Sequence, residues 1–400
     1  MHESYCDERQ SLVDITRRLV DLNTSGTTDS ADQPVRMATS IYCDENLFEK
    51  EKKEIFLREP QLVCFSSDLP EKGSYLCFDD LDIPMILVRD NSGQVRAFLN
   101  ACSHRNARLR EGCGVSKHLT CPYHAWRFSL EGNLESVYKA ETFGEIDPEK
   151  YGLTQLPAEE KYGLVYICPD PDGKINIDDQ LGEMASLFDS WNLGSMTLID
   201  THEFDMQSNW KLALDTFCEG YHFSPLHRES VGDYALGNIS AFDCFGPSGI
   251  NHRLAFPNKW LTELSGKPES EWGDANEIFK NFQLVHYLYP NVSLLISPDA
   301  CEFFRIYPGK RVGEHVTRYS CYYRGHVPLE TKEQRQEAQD HFNFIVKVVA
   351  DEDYWVSGNL QKNMNTGLRT VTTFGRNEPA LINMHTGIAA KLNVDVSAST

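Results

Sequence analysis

Two mixed pairs of ligand residues constrain this chain more than anything else in it: Cys102-Ser103-His104, sixteen residues, then Cys121-Pro122-Tyr123-His124. The pattern C-x-H-x16-C-x2-H offers two thiolates and two imidazoles from two segments. Two thiolates can hold one iron of a [2Fe–2S] cluster while two imidazoles hold the other, and replacing thiolates by neutral imidazoles raises the reduction potential. A structural zinc site and buried cysteines without metal are the alternatives. Zinc modules usually place like residues together, as C-x2-4-C or H-x3-5-H. Here each pair is mixed, which suits two differently ligated irons.

A chain of 400 residues has room for two domains, and 41% hydrophobic residues suffice for real cores. Acidic residues outnumber basic ones 59 to 38, a net charge of −21. That balance argues against nucleic acid and anionic membrane surfaces as partners. The start, Met1 to Gln10, is polar and acidic, unlike the basic-then-apolar run of a signal peptide. Apolar runs such as Met85–Val88 are far too short to span a bilayer. Twelve cysteines without an export signal fit a reducing cytoplasmic location. Beyond Cys102 and Cys121, cysteines such as Cys64, Cys77, Cys168, Cys301 and Cys321 lie in apolar or aromatic settings and read as small core residues.

Leu12, Val13, Ile15, Leu19, Val20 and Leu22 make a loose helical stripe, and Asn23–Pro34 reads as a linker. Asp44 is placed to cap a helix from about Glu45 to Leu57. From Gln61 the period becomes that of strands: Leu62–Phe65, Tyr75–Phe78, Met85–Val88, Val95–Leu99 and Tyr162–Ile167, with turns at Glu71-Lys72-Gly73 and Asp90–Gly93. Both ligand pairs fall in loops after these strands. The organisation expected is a tail with helices over 1–60, an all-β cluster domain over 61–170 and a mixed domain over 171–400. In the last, a helix near Asn209–Tyr221 precedes strands at Leu284–Leu288, Val292–Ile296, Glu302–Ile306 and Thr317–Arg324, then a long helix from about Glu330. Strands followed by a long helix read as α+β.

A second centre lies in Glu219-Gly220-Tyr221-His222-Phe223-Ser224-Pro225-Leu226-His227. Trp210, Leu214, Phe217, Cys218 and Tyr221 form a helical stripe, with Glu219 and His222 three apart on a neighbouring face. Such a carboxylate can accept from the imidazole and fix its tautomer. His222 and His227 stand about 140° apart on a straight helix, too far to share an ion, but Pro225 breaks the ladder and lets the chain swing back. Satisfied histidines that bind nothing are the competing reading. On the long helix Asp353 falls on the stripe of Phe342, Ile345, Val346, Val349, Val356 and Leu360, while Asp351 and Glu352 read as a solvated face. A buried carboxylate must be paired or bound to metal. Two histidines and a carboxylate make the facial triad of non-heme Fe(II) oxygenases.

With these residues in view the chain resembles the Rieske non-heme iron oxygenases, the α subunits of aromatic-ring-hydroxylating dioxygenases and their monooxygenase relatives. The anchors are Cys102, His104, Cys121-Pro122-Tyr123-His124-Ala125-Trp126, Asn209-Trp210-Lys211 leading to Glu219-x2-His222-x4-His227, Glu352-Asp353 with Gln361, and Phe374–Ala380. The resemblance implies an N-terminal all-β Rieske [2Fe–2S] domain and a C-terminal helix-grip (START-like) antiparallel sheet carrying mononuclear Fe(II). By similarity Cys102, His104, Cys121 and His124 hold the cluster, and His222, His227 and Asp353 hold iron. Glu219 stands where the family has a carboxylate, more often Asp, that links the iron site to a cluster histidine, here His124, of a neighbouring subunit. A ring-shaped homotrimer is implied. Respiratory Rieske proteins clamp their cluster loops with a disulfide at positions matching Ala107 and Tyr123 here, so a low Rieske potential of about −150 mV is expected.

The implied activity uses O2, with electrons from NAD(P)H delivered by a separate reductase, with or without a ferredoxin, to mono- or dihydroxylate an aromatic or other small organic substrate. Oxidative N- or O-demethylation and oxidation of quaternary ammonium compounds belong to the same family, and an electron carrier without oxygenase activity is the alternative of another class. Pocket walls are expected from Ser230–Ile296, with Phe242, Phe245, Leu254, Phe256, Leu284, Tyr287 and Leu294 as apolar groups.

Overall fold

The run Met85-Ile86-Leu87-Val88 lacks a polar face because both faces of its strand are covered. Met85 and Leu87 enter one apolar core with Val63, Leu69 and Val165, whereas Ile86 and Val88 enter another with Phe98, Trp126 and Phe128. Successive side chains of a strand point to opposite faces, so one strand serves two cores. The computed structural model describes residues 8–398. Two units form: Lys53–Ile177 with Leu193–Ser195, and the remainder. Of the N-terminal segment expected over 1–60, the described residues through Lys52 group with the larger unit.

The smaller unit is all-β apart from short helical turns. Its five-stranded antiparallel sheet runs Gln155–Leu156, Val95–Leu99, Met85–Arg89, Ser74–Phe78, Cys113–Val115. A second sheet pairs Ala158–Lys161, Leu164–Ile167 and Gln61–Phe65. Tyr162 and Gly163, at φ 57° and 77°, form the turn of the hairpin inside the segment expected to be one strand. The Asp90 carboxylate ties the Asp90–Gly93 turn, accepting from Ser92 N at 2.8 Å, Gln94 N at 2.9 Å and Arg96 Nε at 2.6 Å. Burial raises its pKa, but the bonds from Ser92, Arg96 and the turn amides outweigh this and lower it to about 2.

The larger unit is built on a seven-stranded antiparallel sheet of β1 (Thr197–Met206), β2 (Ala241–Phe245), β3 (Asn251–Pro257), β4 (Phe282–Leu288), β5 (Val292–Ile296), β6 (Ala300–Pro308) and β7 (His315–Tyr323), in spatial order β1-β7-β6-β5-β4-β3-β2. Strands β2 and β3 and the polar edge strand β1, of which only Phe204 is buried, have no clear period in the sequence. A long helical segment packs on this sheet: Tyr319 stacks on Phe342, and Thr317 Oγ lies 2.8 Å from the Tyr354 hydroxyl. It begins at Lys332, where Thr331 and Gln334 form a reciprocal capping box. At Val349–Asp353 it widens into a π turn before resuming over Tyr354–Met364.

That extra residue changes the helix phase. Beyond it the buried positions are Tyr354, Ser357 and Gln361, whereas Leu360, expected on the apolar stripe, is exposed. The helix expected over Asn209–Tyr221 is shorter, Trp210–Asp215, and Tyr221 is exposed. Asn209 caps it, accepting from Lys211 N, and the Asn209 N–H donates to Gln361 Oε1 at 2.8 Å. Asp44 likewise caps Glu45–Glu51, which passes into a π turn at Lys52–Phe56. Glu51, fully buried, accepts from Trp210 Nε1 at 2.8 Å and Lys211 Nζ at 2.5 Å. Among the described residues no helix is long and apolar enough to cross a membrane.

Two stability outcomes follow. Glu51→Ala leaves the Lys211 ammonium buried and unpaired and should destabilise by about 3–5 kcal/mol, read by urea unfolding, with Glu51→Gln combined with Lys211→Met recovering most of the loss. Asp90→Asn should cost about 2 kcal/mol at pH 7. The Asp90 pKa is lower folded than unfolded, so its contribution is present above pH ~4 and fades toward pH 2; a deficit that stays constant between pH 7 and pH 3 would contradict this.

Candidate functional site

The two ligand loops of the smaller unit share one backbone design. Cys102 N–H donates to Ala107 O and Asn106 N–H to Cys102 O, both at 2.8 Å. Cys121 N–H donates to Trp126 O at 2.8 Å and Ala125 N–H to Cys121 O at 3.1 Å. The fifth residue of each turn, Asn106 or Ala125, is left-handed, with φ 58° and 55°. Each loop thus presents its Cys from the inside of a tight turn and a His from its tip.

Cys102 and Cys121 are buried within the apolar core that holds Trp126. The His104 and His124 rings lie 4.8 Å apart, and His104 stacks on Trp126 at 4.8 Å. Burial pushes the Cys102 thiol up to about 11, against hydrogen bonds from the backbone N–H groups of His104 and Arg105. Most telling, His124 Nδ1 is buried without a hydrogen-bond partner. A buried imidazole nitrogen left bare costs free energy unless something else binds it, and two inward thiols with two adjacent imidazoles match the cluster's donor set. At the disulfide positions of respiratory proteins, Ala107 packs against the core and Tyr123 is exposed over the His124 ring.

In the larger unit His222, His227 and Asp353 converge. His222 Nε2 is 3.1 Å from His227 Nε2 and 3.5 Å from Asp353 Oδ1; His227 Nε2 is 3.2 Å from the same oxygen. Three atoms bound to one ion at about 2.1 Å stand roughly 3 Å apart. Pro225 lies inside the short helix Phe223–Leu226, and His227 follows as its C-terminal cap. Asp353 Oδ1 is buried, with no hydrogen-bond partner beyond the two imidazole Nε2 atoms that face it. Burial disfavours the His222 imidazolium, yet Asp353 and Glu219 outweigh it and push the pKa up to about 10. The pocket therefore holds positive charge strongly, as a cation site must.

Carboxylates fix both rings from behind. Glu219 accepts from His222 Nδ1, and also from the backbone N–H of Tyr221 and of His222. Glu352 accepts from His227 Nδ1 at 2.6 Å and from Ser230 Oγ at 2.8 Å. This corrects the reading of Glu352 as part of a solvated face. The π turn lets consecutive carboxylates grip one imidazole, Glu352 at Nδ1 and Asp353 at Nε2, which a 100°-per-residue helix does not favour. A strongly apolar stripe interrupted by three acidic residues was the available sequence signal.

A cavity of about 220 Å³ opens beside the triad. Phe217, Phe223, Phe256, Phe304, Ile345 and Val349 are among its apolar walls. Of the seven wall residues expected from Ser230–Ile296, Phe256 lines it and the other six do not. Strand alternation accounts for Leu284 and Leu294: in β4 Gln283 and Val285, and in β5 Leu295, face the cavity, and the residue between or beside them lies on the other face. Glu352→Gln should weaken ferrous-ion affinity by about 10–100-fold, read by titrating Fe(II) into metal-free protein, with the cluster's visible spectrum unchanged; unaltered affinity would show that the His227–Glu352 bond does not tune the site.

Residues 193–393 match the family model described as the ring hydroxylating alpha subunit, catalytic domain, and residues 59–147 match the Rieske [2Fe–2S] domain. The carnitine monooxygenase oxygenase subunit of Escherichia coli (strain K12) is 34% identical over 190 residues, 47% of this chain and 50% of that protein. The biphenyl 2,3-dioxygenase α subunit of Rhodococcus jostii (strain RHA1) is 32% identical over 194 residues, 47% of this chain and 42% of its own length. The alignments thus span about half of these curated relatives. A solved quaternary ammonium Rieske monooxygenase with L-carnitine shares the fold at TM-score 0.74 and 20% identity, covering 95% of this chain and 98% of the other. A naphthalene 1,2-dioxygenase with indole does so at TM-score 0.69 and 18% identity, covering 92% and 94%. The catalytic-domain match spans half of the chain and the cluster-domain match precedes it in order: this chain belongs to the Rieske non-heme iron oxygenase family.

Proposed function

We propose that this chain is the oxygenase component of a Rieske oxygenase system, in which Cys102, His104, Cys121 and His124 hold the [2Fe–2S] cluster and His222, His227 and Asp353 hold one Fe(II). The observation that carries this is the meeting of two imidazole Nε2 atoms and the buried Asp353 Oδ1 beside an apolar cavity. When bound, the cluster supplies electrons one at a time and the ferrous ion supplies the centre at which O2 is activated.

The chain's own residues do the rest. Glu219 and Glu352 hold the Nδ1 side of each imidazole, which would leave each Nε2 free to bind an ion. Asp353 would supply the anionic donor, and all three residues line the cavity that would receive substrate. The aromatic walls exclude bulk water and favour an organic substrate over a small hydrophilic one. Glu219, behind His222, is the residue proposed to connect this site to His124 of a neighbouring subunit within a homotrimer. A separate reductase is the proposed electron source, and the cytoplasm the proposed location.

Similarity to a carnitine monooxygenase favours monooxygenation, while similarity to a biphenyl dioxygenase supports ring dihydroxylation. A substrate panel with an added reductase, read by mass spectrometry for one or two added oxygen atoms, decides between them. Asp353→Ala should empty the mononuclear site and abolish product while leaving the cluster's visible spectrum intact. Continued turnover, or loss of the cluster instead, would sink the assignment.

A further inference from the structure

The same cavity has a second polar end, built from residues that the oxygen chemistry does not use. Glu302 on β6, 3% exposed, lines the cavity together with His341 of the long helix and Lys280. Its carboxylate accepts from His341 Nε2 at 2.7 Å, from the Tyr319 hydroxyl and from Cys321 Sγ at 3.8 Å. Glu302, Cys321 and His341 are close enough to share a metal ion. Their satisfaction argues otherwise. Each Glu302 oxygen already has a donor, and burial holds the Tyr319 and Cys321 protons in place by raising both groups far above their usual range. Asp353, by contrast, faces two imidazole nitrogens whose atoms are also placed to share an ion with it. One cluster is complete with protons; the other has the geometry of a ligand set.

With Nε2 committed to Glu302, His341 keeps Nδ1, which has no hydrogen-bond partner among the described residues. Burial disfavours the imidazolium, but the Glu302 carboxylate outweighs it and favours the charged form, in which Nδ1 donates. Strand register carries Lys280 and Ser297 to the same end of the sheet as Glu302: Leu284 pairs with Ile296, and Ile296 with Cys301. Lys280 is exposed, and its ammonium makes no ion pair among the described residues. A lysine and a histidine backed by a carboxylate therefore line the same aromatic cavity as the triad. Twelve residues of helix separate His341 from Asp353, a rise of about 18 Å, so a ligand reaching both ends is longer than a single ring.

We propose that His341, oriented by Glu302, and Lys280 bind the carboxylate of an elongated, largely apolar substrate whose far end lies at the His222–His227–Asp353 triad. The binding claim stands on the cavity; only the word substrate rests on the oxygenase reading. The charge pattern is consistent: Glu302 neutralises one side of the imidazolium, and the ligand's carboxylate meets the other side and the lysine.

The test is calorimetric binding of ω-phenylalkanoates, from benzoate to 6-phenylhexanoate, and of the matching phenylalkanols to the iron-loaded holoprotein, independent of turnover. Carboxylates should bind at least tenfold more tightly than the alcohols, with the longer members preferred. His341→Phe combined with Lys280→Met should bring the two series within about twofold, leaving alcohol affinity and the cluster spectrum unchanged; His341→Gln, which keeps a donor, should retain part of the preference. Equal binding of acids and alcohols, no binding by either series, or a preference that survives both substitutions overturns the proposal. So does a stoichiometric zinc site that persists in His222→Ala/His227→Ala protein and is lost with His341→Phe. Tight carboxylate binding without any oxygenated product would instead leave the site standing and defeat the oxygenase reading.

Discussion

A buried carboxylate facing two imidazoles is the constraint on which the larger unit depends. Asp353 is 6% exposed, and one of its oxygens is faced only by the two imidazole Nε2 atoms. Removing a carboxylate from water costs several kcal/mol unless opposite charge compensates it. Everything around it serves that compensation. The π turn at Val349–Asp353 aims it, Glu219 and Glu352 hold the two rings at their far nitrogens, and the sheet behind supplies a dry wall. Polar atoms gathered this way are costly when bare, and their spacing is that of groups that could share one ion.

The smaller unit solves a different problem, holding two loops still while their tips remain available. It does so by making the cysteines part of the core and repeating one turn twice, each closed by a reciprocal pair of backbone hydrogen bonds and a left-handed residue. Trp126 closes the second turn through its carbonyl and supports the first through its ring, which stacks on His104. The rigidity of the ligand set therefore comes from backbone and packing, with no disulfide across the loops.

The cavity links fold to selectivity. Its walls alternate along β4 and are completed by helix residues after position 340, so no single stretch of sequence contains it. The polar cluster at Glu302 and the triad at Asp353 illustrate one rule with opposite outcomes. Where hydroxyl, thiol and imidazole donors satisfy a buried carboxylate, it anchors other groups; where only two imidazole Nε2 atoms face it, the set is placed to share an ion.

The candidate ligand residues stand out in the sequence because residue type at fixed spacing limits their chemistry: mixed Cys/His pairs suit a cluster, and a carboxylate on an apolar helical stripe suits a metal. Strands with strong periodicity, such as Met85–Val88 and Val292–Ile296, were legible for the same local reason. The polar edge strand Thr197–Met206, the role of Glu352 and the membership of the cavity were not. Each depends on a partner remote in sequence: β7 pairing with β1, His227 reaching across to residue 352, and β4 meeting the long helix. The sequence by itself determined which atoms could bind metal. Only the tertiary structure decided how they meet, because one extra residue in a helix turn, invisible in composition, resets the direction of every side chain beyond it.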